Sequence, residues 1–440
     1  MERAIYKKLL DWKKRKNRKP LILLGARQVG KTYIMREFGR NEFANTIYLN
    51  CDRNEFAAKL FRDYDVARII SELEYYTSQK VIDNETLVII DEIQEVAGGI
   101  SSLKYFCEDR PSLHIIVAGS LLGISVRENE SYPVGKVETI RMYPMTFSEF
   151  LLAKGKKGFA EGLDALDWNF TNTFHEQLIS LLREYYFTGG MPAVLKEYIE
   201  SDDTAVVRGL QSEILDAYIR DMGKHSKSQV QRIHMVWDSI PNQLSRENKK
   251  FIFGALKKGA RAAEYEIAIQ WLADAGIIHK VNRTKSPQRP LKFYADNSAF
   301  KIYLSDCGLL SCLCHAPAKE LLLGTSAFTE YKGALTENYV LQQIRAITDN
   351  SDVFYFAKDN STQEIDFLVE TENRIIPIEV KAEENVKSKS LYGFINVDHI
   401  GNHLKGLRIS MKPYIDQGWM ENIPLYAVEA YIRKEQGLPI

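Results

Sequence analysis

The sequence lacks the features that mark membrane, secreted and disulfide-stabilised proteins. None of its apolar runs approaches the roughly 20 residues that a membrane-spanning helix needs. The beginning of the chain carries charge without the apolar core of a secretory signal. The 5 cysteines are scattered and odd in number, which argues against a disulfide framework. We therefore expect a cytoplasmic protein that makes no contact with membranes.

An excess of charge of either sign is also absent. The 58 Lys and Arg residues balance 58 Asp and Glu residues, so any contact with nucleic acid must come from local basic patches rather than from a global field. What the sequence has is a globular composition, with 45% hydrophobic and 26% charged residues. A chain of 440 residues is long enough for about two to four domains.

The most specific motif lies near the front of the chain. An apolar run at 21–24 predicts a buried parallel strand, and the next eight residues, GARQVGKT, match the phosphate-loop pattern G-x-x-x-x-G-K-[ST] ahead of a helix-like segment. The glycines let backbone N–H groups face phosphate oxygens, Lys31 can reach the β- and γ-phosphates, and the Thr32 hydroxyl can bind Mg²⁺. The pattern predicts an ATP site made of Gly25, Ala26, Arg27, Gln28, Val29, Gly30, Lys31 and Thr32.

A second apolar run supplies the acids that such a site requires. The run at 87–90 ends in Asp91 and Glu92, about sixty residues after the phosphate loop. We expect Asp91 to hold the hydration shell of Mg²⁺ and Glu92 to polarise the attacking water. Ser120 ends the next apolar run, where it either senses the γ-phosphate or is an ordinary loop serine.

Four segments together, "LLGARQVGKT", "VIIDEIQEV", "VAGS" and "RMYPMTFSEFL", resemble a prokaryotic, archaeal-type family of AAA+/STAND-like P-loop ATPases. The resemblance continues through "TGGMPAVL" and "YIRDMGKHS" and covers most of the chain. It implies an ATPase core at 1–145. Apolar residues at helical spacing predict a helical lid at 146–245.

The arginine finger of such an ATPase is not selected by the sequence. The family's usual glycine-arginine pair before "PMTFSEF" reads Gly135-Lys136 here. Arg127 and Arg141 are both candidates, and each is also compatible with an ordinary surface arginine.

The middle of the chain has the outline of a winged helix at 246–318, because a helix is followed by a glycine turn and a β-ribbon. The segments 246–261 and 283–292 are basic and can contact phosphates. The alternative is a winged helix that serves protein packing only. The basic residues of the second segment are Arg283, Lys285, Arg289 and Lys292.

Charged residues interrupt two apolar strands near the end of the chain. Asp366 lies in the first strand, Glu379 and Lys381 lie two apart in the second, and Glu337 lies on the helix before them. This order resembles the restriction-endonuclease-like PD-(D/E)xK fold, most closely its Holliday-junction-resolvase-like branch, at 319–440. The resemblance implies that Glu337, Asp366 and Glu379 hold Mg²⁺ and that Lys381 assists the attacking water. A degenerate nuclease fold and a plain Glu379–Lys381 salt bridge are the alternatives.

The sequence thus predicts an α/β protein with a P-loop NTPase core, a helical lid, a winged helix and an endonuclease-like domain. The leading hypothesis is an ATP-dependent enzyme that uses ATP and Mg²⁺ and acts on nucleic acid, with DNA as the favoured substrate. A homo-oligomeric state is compatible with this hypothesis. One rival is a nucleotide-controlled switch whose nuclease-like domain is inactive and binds DNA or protein. Another is an ATP-binding transcription factor that uses the winged helix.

Overall fold

The structure is a computed structural model that divides into two compact units. Residues 2–143 and 274–276 form one, called the N-terminal unit here, and residues 1, 144–273 and 277–440 form the other, the C-terminal unit. The structure describes residues 1–119, 132–223, 227–246, 249–324, 329–348, 353–358, 363–382, 388–397, 400 and 403–438. None of the helices within these ranges combines the length and the apolar character needed to cross a membrane.

The N-terminal unit is built on a parallel sheet with the strand order β2-β3-β4-β1-β5. The central strands are continuous apolar runs because helices cover both faces of such a sheet, and every residue of β3 is buried. In chain order the elements are α1 (Ile5–Lys14), β1 (Leu21–Leu24), α2 (Lys31–Glu42), β2 (Asn45–Asn50), α3 (Glu55–Leu60), α4 (Val66–Thr77), β3 (Thr86–Asp91), α5 (Gly99–Asp109), β4 (His114–Ala118) and β5 (Glu138–Arg141).

The C-terminal unit begins with helices, as the apolar spacing predicts. Thr146 and Glu149 form a reciprocal capping box that starts the first of them. The helices are α6 (Phe147–Ala153), α7 (Lys157–Asp164), α8 (Trp168–Thr173), α9 (His175–Thr188), α10 (Pro192–Ser201), α11 (Thr204–Met222), α12 (Lys227–Leu244) and α13 (Ala262–Asp274).

Strands and helices alternate in the rest of this unit. The strands form one sheet of eight with the order β12-β13-β11-β10-β9-β8-β6-β7. The elements are β6 (Ile278–Thr284), β7 (Ala295–Leu304), α14 (Cys307–Leu313), α15 (Ala318–Leu323), α16 (Thr329–Ile347), β8 (Val353–Ala357), β9 (Glu364–Glu370), β10 (Ile375–Lys381), α17 (Lys389–Tyr392), β11 (Gly406–Ser410), β12 (Ile415–Asp416), β13 (Met420–Pro424) and α18 (Val428–Glu435).

The expected winged-helix and endonuclease-like ranges contribute strands to this single sheet. Residues 282–284 of β6 pair in parallel with residues 354–356 of β8, because the edge of β6 that β7 leaves open needs a partner. The order α13, β6, β7 agrees with the predicted winged-helix outline. The order α16, β8, β9, β10 agrees with the predicted helix and three strands. The assignment of either range to a named fold stays a prediction.

Candidate functional site

The phosphate loop between β1 and α2 closes around the lysine of its motif. The Lys31 Nζ donates hydrogen bonds to the carbonyl oxygens of Gly25 and Ala26, at 2.8 and 2.9 Å. The side chain is only 7% exposed, and this burial lowers the pKa of Lys31 to about 8. The ammonium therefore lies inside the curl of the loop, where anionic phosphate oxygens would be stronger partners than neutral carbonyls.

The backbone of the loop requires glycine where the motif has it. A Cβ at Gly25 would approach the Met142 carbonyl oxygen to 2.4 Å, and Gly30 has a φ of 97° immediately before α2. Gln28 also has a positive φ, 67°, which is unfavourable for a residue with a side chain. At Gln28, therefore, the backbone conformation is imposed by the surrounding chain, whereas at Gly30 it agrees with the preference of glycine.

The far side of the loop is tethered by a residue that the sequence did not indicate. The Arg3 guanidinium donates to the carbonyl oxygens of Val29, at 3.0 Å, and Tyr143, at 2.7 Å. These bonds tie the phosphate loop to the segment that follows β5. Of the remaining motif residues, Ala26 and Val29 are buried, and Arg27 and Gln28 are exposed.

Two oxygen ligands predicted for Mg²⁺ meet where β3 ends and α2 begins. The Thr32 hydroxyl donates to Asp91 Oδ2 at 2.6 Å, and the Tyr48 hydroxyl donates to the same oxygen at 3.1 Å. Burial, followed by the charge of Asp91, raises the pKa of Tyr48 to about 12. A hydroxyl and a carboxylate are the hard donors that Mg²⁺ prefers, so these residues fit the ion.

The predicted catalytic acid is held by a neighbouring amide. Glu92 has a left-handed backbone, with a φ of 51°, and its N–H donates to Asp91 Oδ1 at 3.1 Å. The Gln94 Nε2 donates to Glu92 Oε2 at 2.6 Å. Gln94 therefore fixes one oxygen of the carboxylate. Sequence reasoning missed this residue, since a glutamine two positions after an acid carries no pattern of its own.

Three further residues were predicted for this site or as its arginine finger. Ser120 and Arg127 lie outside the described residues. Arg141 ends β5, paired with Leu24 of β1 and partly buried. Lys136, at the position where the ATPase family that the sequence resembles has arginine, forms a surface ion pair with Glu108 at 2.8 Å. The arginine finger therefore stays unassigned.

The four residues predicted for the nuclease-like site converge in the C-terminal unit, together with lysines that were not predicted. Lys249 Nζ lies 2.7 Å from Glu337 Oε1, and Lys381 Nζ lies 3.1 Å from Glu379 Oε1. The fully buried Lys301 of β7 pairs with Glu364 of β9. We call this group the acid–lysine cluster: Lys249, Lys301, Glu337, Glu364, Asp366, Glu379 and Lys381.

The carboxylates of the cluster influence one another strongly. The backbone N–H of Val380 donates to Asp366 Oδ2 at 2.7 Å, yet burial and then the charge of Glu337 raise the pKa of Asp366. Burial opposes ionisation of Glu337, but the charges of Lys249 and Lys301 outweigh it and lower its pKa. Of these two carboxylates, Glu337 is thus the one that the lysines hold in its ionised form.

The cluster meets the needs of a divalent metal only in part. Carboxylate oxygens are the donors that Mg²⁺ needs. Glu379 is 3% exposed and its Oε2 has no partner among the described residues, so one buried acceptor is available. The Glu337 carboxylate, however, is held by Lys249. Over the part of the chain that the structure describes, no three His, Cys, Asp or Glu side chains are arranged to hold a metal.

The predicted basic wing is only partly exposed. The Arg283 guanidinium donates to Asp296 Oδ2 at 2.6 and 3.0 Å. Burial opposes ionisation of Asp296, but hydrogen bonds from Ser298 and Arg283 lower its pKa to about 2. Arg283 is therefore engaged inside the fold, whereas Lys285 and Lys292 are exposed.

The N-terminal unit thus has the site of a P-loop nucleotide-binding protein, and comparison with known families agrees. Residues 17–151 match a family model described as an AAA domain. Residues 179–322 and 332–426 match two domains of unknown function, DUF8612 and DUF4143. The AAA-domain match at 17–151 supports a P-loop ATPase domain. The match at 332–426 does not establish a nuclease.

An uncharacterized protein of Methanocaldococcus jannaschii, MJ1544, is 24% identical over 380 residues, which cover 84% of this chain and 76% of that protein. The solved Walker-type ATPase PABY2304 of Pyrococcus abyssi is 16% identical, with a TM-score of 0.45 over 71% of this chain and 95% of its own.

Two further solved structures are more distant. Cdc6p of Pyrobaculum aerophilum is 11% identical, with a TM-score of 0.24 over 72% of this chain and 91% of its own. Drosophila ORC bound to DNA is 12% identical, with a TM-score of 0.24 over 68% of this chain and 90% of its own. All three TM-scores lie below 0.5, which is too low to establish a shared fold across the chain.

Proposed function

We propose that the N-terminal unit binds Mg·ATP and hydrolyses it. The observation that carries this proposal is the contact between Thr32 Oγ1 and Asp91 Oδ2 at 2.6 Å, next to a phosphate loop whose lysine is already inside its curl. Thr32 and Asp91 would hold Mg²⁺. The ion supplies charge neutralisation at the β- and γ-phosphates when bound.

The role of each residue follows from its position. Lys31 exchanges two carbonyl partners for phosphate oxygens, which accept a stronger, charge-assisted hydrogen bond. Glu92 orients the attacking water or accepts its proton, and Gln94 holds the Glu92 carboxylate in one rotamer.

The test is phosphate release from Mg·ATP by the wild type and by Glu92→Gln. We expect Glu92→Gln to bind ATP like the wild type and to lose hydrolysis, because the amide keeps the shape but cannot act as a base. Glu95→Gln, the same change at a nearby exposed glutamate, is the matched control and should hydrolyse ATP like the wild type. Equal turnover in Glu92→Gln would assign the water to another residue.

A second function is favoured by the convergence of Glu337, Asp366, Glu379 and Lys381. We propose that the C-terminal unit cleaves nucleic acid, with the three carboxylates as the candidate metal ligands. Lys381 lies beside Glu379, where an ammonium can orient water or stabilise developing charge. The exposed Lys285 and Lys292 are candidate phosphate contacts. DNA as substrate, a homo-oligomeric state and a cytoplasmic location remain parts of this proposal.

The test uses linear, circular and branched DNA and RNA, with Mg²⁺ or Mn²⁺ and with or without ATP. We expect Asp366→Asn to abolish cleavage and to leave ATP hydrolysis unchanged, because the two sites belong to different units. Absence of cleavage by the wild type under every condition would favour the rival, a nucleotide-controlled switch with an inactive nuclease-like domain.

A further inference from the structure

Both oxygens of the Glu337 carboxylate already have partners from the chain itself. Oε1 accepts from Lys249 Nζ at 2.7 Å, and Oε2 accepts from the Tyr303 hydroxyl at 3.1 Å. Glu337 is 5% exposed. A cation that binds Glu337 Oε1 competes with the Lys249 ammonium, because two cations on one buried oxygen repel each other.

Lys249 is the one lysine of the acid–lysine cluster that does not lie on a strand. Lys301 and Lys381 stand on strands β7 and β10, whereas Lys249 lies in the segment between α12 and α13. Its backbone is left-handed, with a φ of 49°, a conformation that costs a residue with a side chain about 1 kcal/mol or more. The side chain reaches its buried partner while remaining 14% exposed, so it has a path back to solvent.

Other cations surround the same carboxylates. Lys381 forms an ion pair with Glu379. The charge of Lys301 favours the ionised forms of both Glu337 and Asp366. The buried Arg408 of β11 interacts electrostatically with Glu379. A divalent ion added while Lys249 stays in place would meet like charge from four side chains. Exchange of Lys249 for the ion removes one of those charges. Glu379 Oε2, which has no hydrogen-bond partner within the described ranges, provides a further acceptor for the ion.

We propose that Lys249 is a resident counter-cation that competes with divalent metal for Glu337, so that metal binds the cluster only when Lys249 leaves. This inference rests on the proposal that the cluster is a nuclease site. It assigns that site a built-in inhibitory contact.

The test is calorimetric binding of Mn²⁺ to the full-length, nucleotide-free protein. Asp91→Asn is present in every arm, because Asp91 is the other predicted divalent ligand. Lys249→Met is compared with its parent and with Lys250→Met, a matched change at an exposed neighbour. We expect Lys249→Met to bind Mn²⁺ at least tenfold more tightly than both, and we expect addition of Asp366→Asn to remove that binding.

The outcomes separate the two proposals. Equal binding by Lys249→Met and its parent, removed in both by Asp366→Asn, would overturn the competition and leave the metal site standing. Absence of binding in every variant, with Lys249→Met folded by circular dichroism, would overturn the metal site and this inference with it.

A second measurement does not depend on the variant folding. Acetylation of lysines in the wild type, read by mass spectrometry across a Mn²⁺ titration, reports whether Lys249 leaves Glu337. We expect labelling of Lys249 to rise severalfold with Mn²⁺ while that of Lys250 stays constant. Labelling of Lys249 that does not change up to about 10 mM Mn²⁺ would overturn the proposal.

Discussion

Gln94→Leu tests whether the amide of Gln94 positions the catalytic acid. In the structure, Gln94 Nε2 donates to Glu92 Oε2 at 2.6 Å. A hydrogen bond to a charged group contributes about 1.5–3 kcal/mol, which corresponds to about a 10- to 150-fold change in rate if it is needed in the transition state. We therefore expect kcat for ATP hydrolysis to fall by about 10- to 150-fold.

Stability should respond differently from rate. The Oε1 atom of Gln94 is buried and has no hydrogen-bond partner among the described residues. Leucine removes this unsatisfied acceptor together with the bond to Glu92, so the two effects on the free energy of unfolding nearly offset. We expect a change within about 1 kcal/mol by urea unfolding, and a KM for Mg·ATP close to that of the wild type.

The assay is steady-state phosphate release, with Gln79→Leu as an exposed glutamine control. In a Glu92→Gln background, Gln94→Leu should have almost no further effect, since the residue acts through Glu92. An unchanged kcat in Gln94→Leu, or a further fall of about 10- to 150-fold in the residual rate of Glu92→Gln, would refute the positioning role.

Two lysines and one arginine lead to further predictions. Because the folded pKa of Lys31 is lowered to about 8 from the ordinary 10.5, the unfolded chain binds more protons between those values. The free energy of unfolding of the nucleotide-free wild type, measured in urea, should therefore rise by up to about 3 kcal/mol from pH 8 to 10.5 relative to that of Lys31→Met. Free energies of unfolding that change with pH in parallel in the two proteins would contradict this. Arg283→Met should cost about 3 kcal/mol, because Asp296 stays buried without its cation, and a loss below about 1 kcal/mol would show that the pair is not needed. Lys285→Glu should leave stability unchanged and lower the slope of log affinity for DNA against log salt by about one or more; an unaltered slope would exclude the wing from the DNA contact.

The local parts of the nucleotide site could be predicted because their signal is contiguous. The phosphate loop and the strand that ends in Asp91 and Glu92 are each readable within a dozen residues. Gln94, Tyr48 and Arg3 could not be found this way. Their contacts depend on which strands lie side by side and on where a distant turn ends, and no local spacing encodes either.

The C-terminal unit shows the same limit on a larger scale. The order of strands and the positions of Asp366 and Glu379 follow from alternation and charge. Pairing of β6 with β8 joins residues about seventy apart, and partner choice at a sheet edge has no local signature. Lys249 and Lys301 enter the cluster by the same non-local packing. The sequence therefore predicts a site of three acids and one lysine, whereas the cluster in the structure has four acids and three lysines.

Mg·ATP binding at the phosphate loop is the central property proposed for this protein, and equilibrium titration with a fluorescent ATP analogue measures it directly. We predict saturable binding by the wild type that strengthens when Mg²⁺ is added, and binding by Lys31→Ala that is at least tenfold weaker. Lys59→Ala, an exposed lysine at the end of α3, should bind like the wild type. Equal affinity of the wild type and Lys31→Ala, with no response to Mg²⁺, would contradict the central claim.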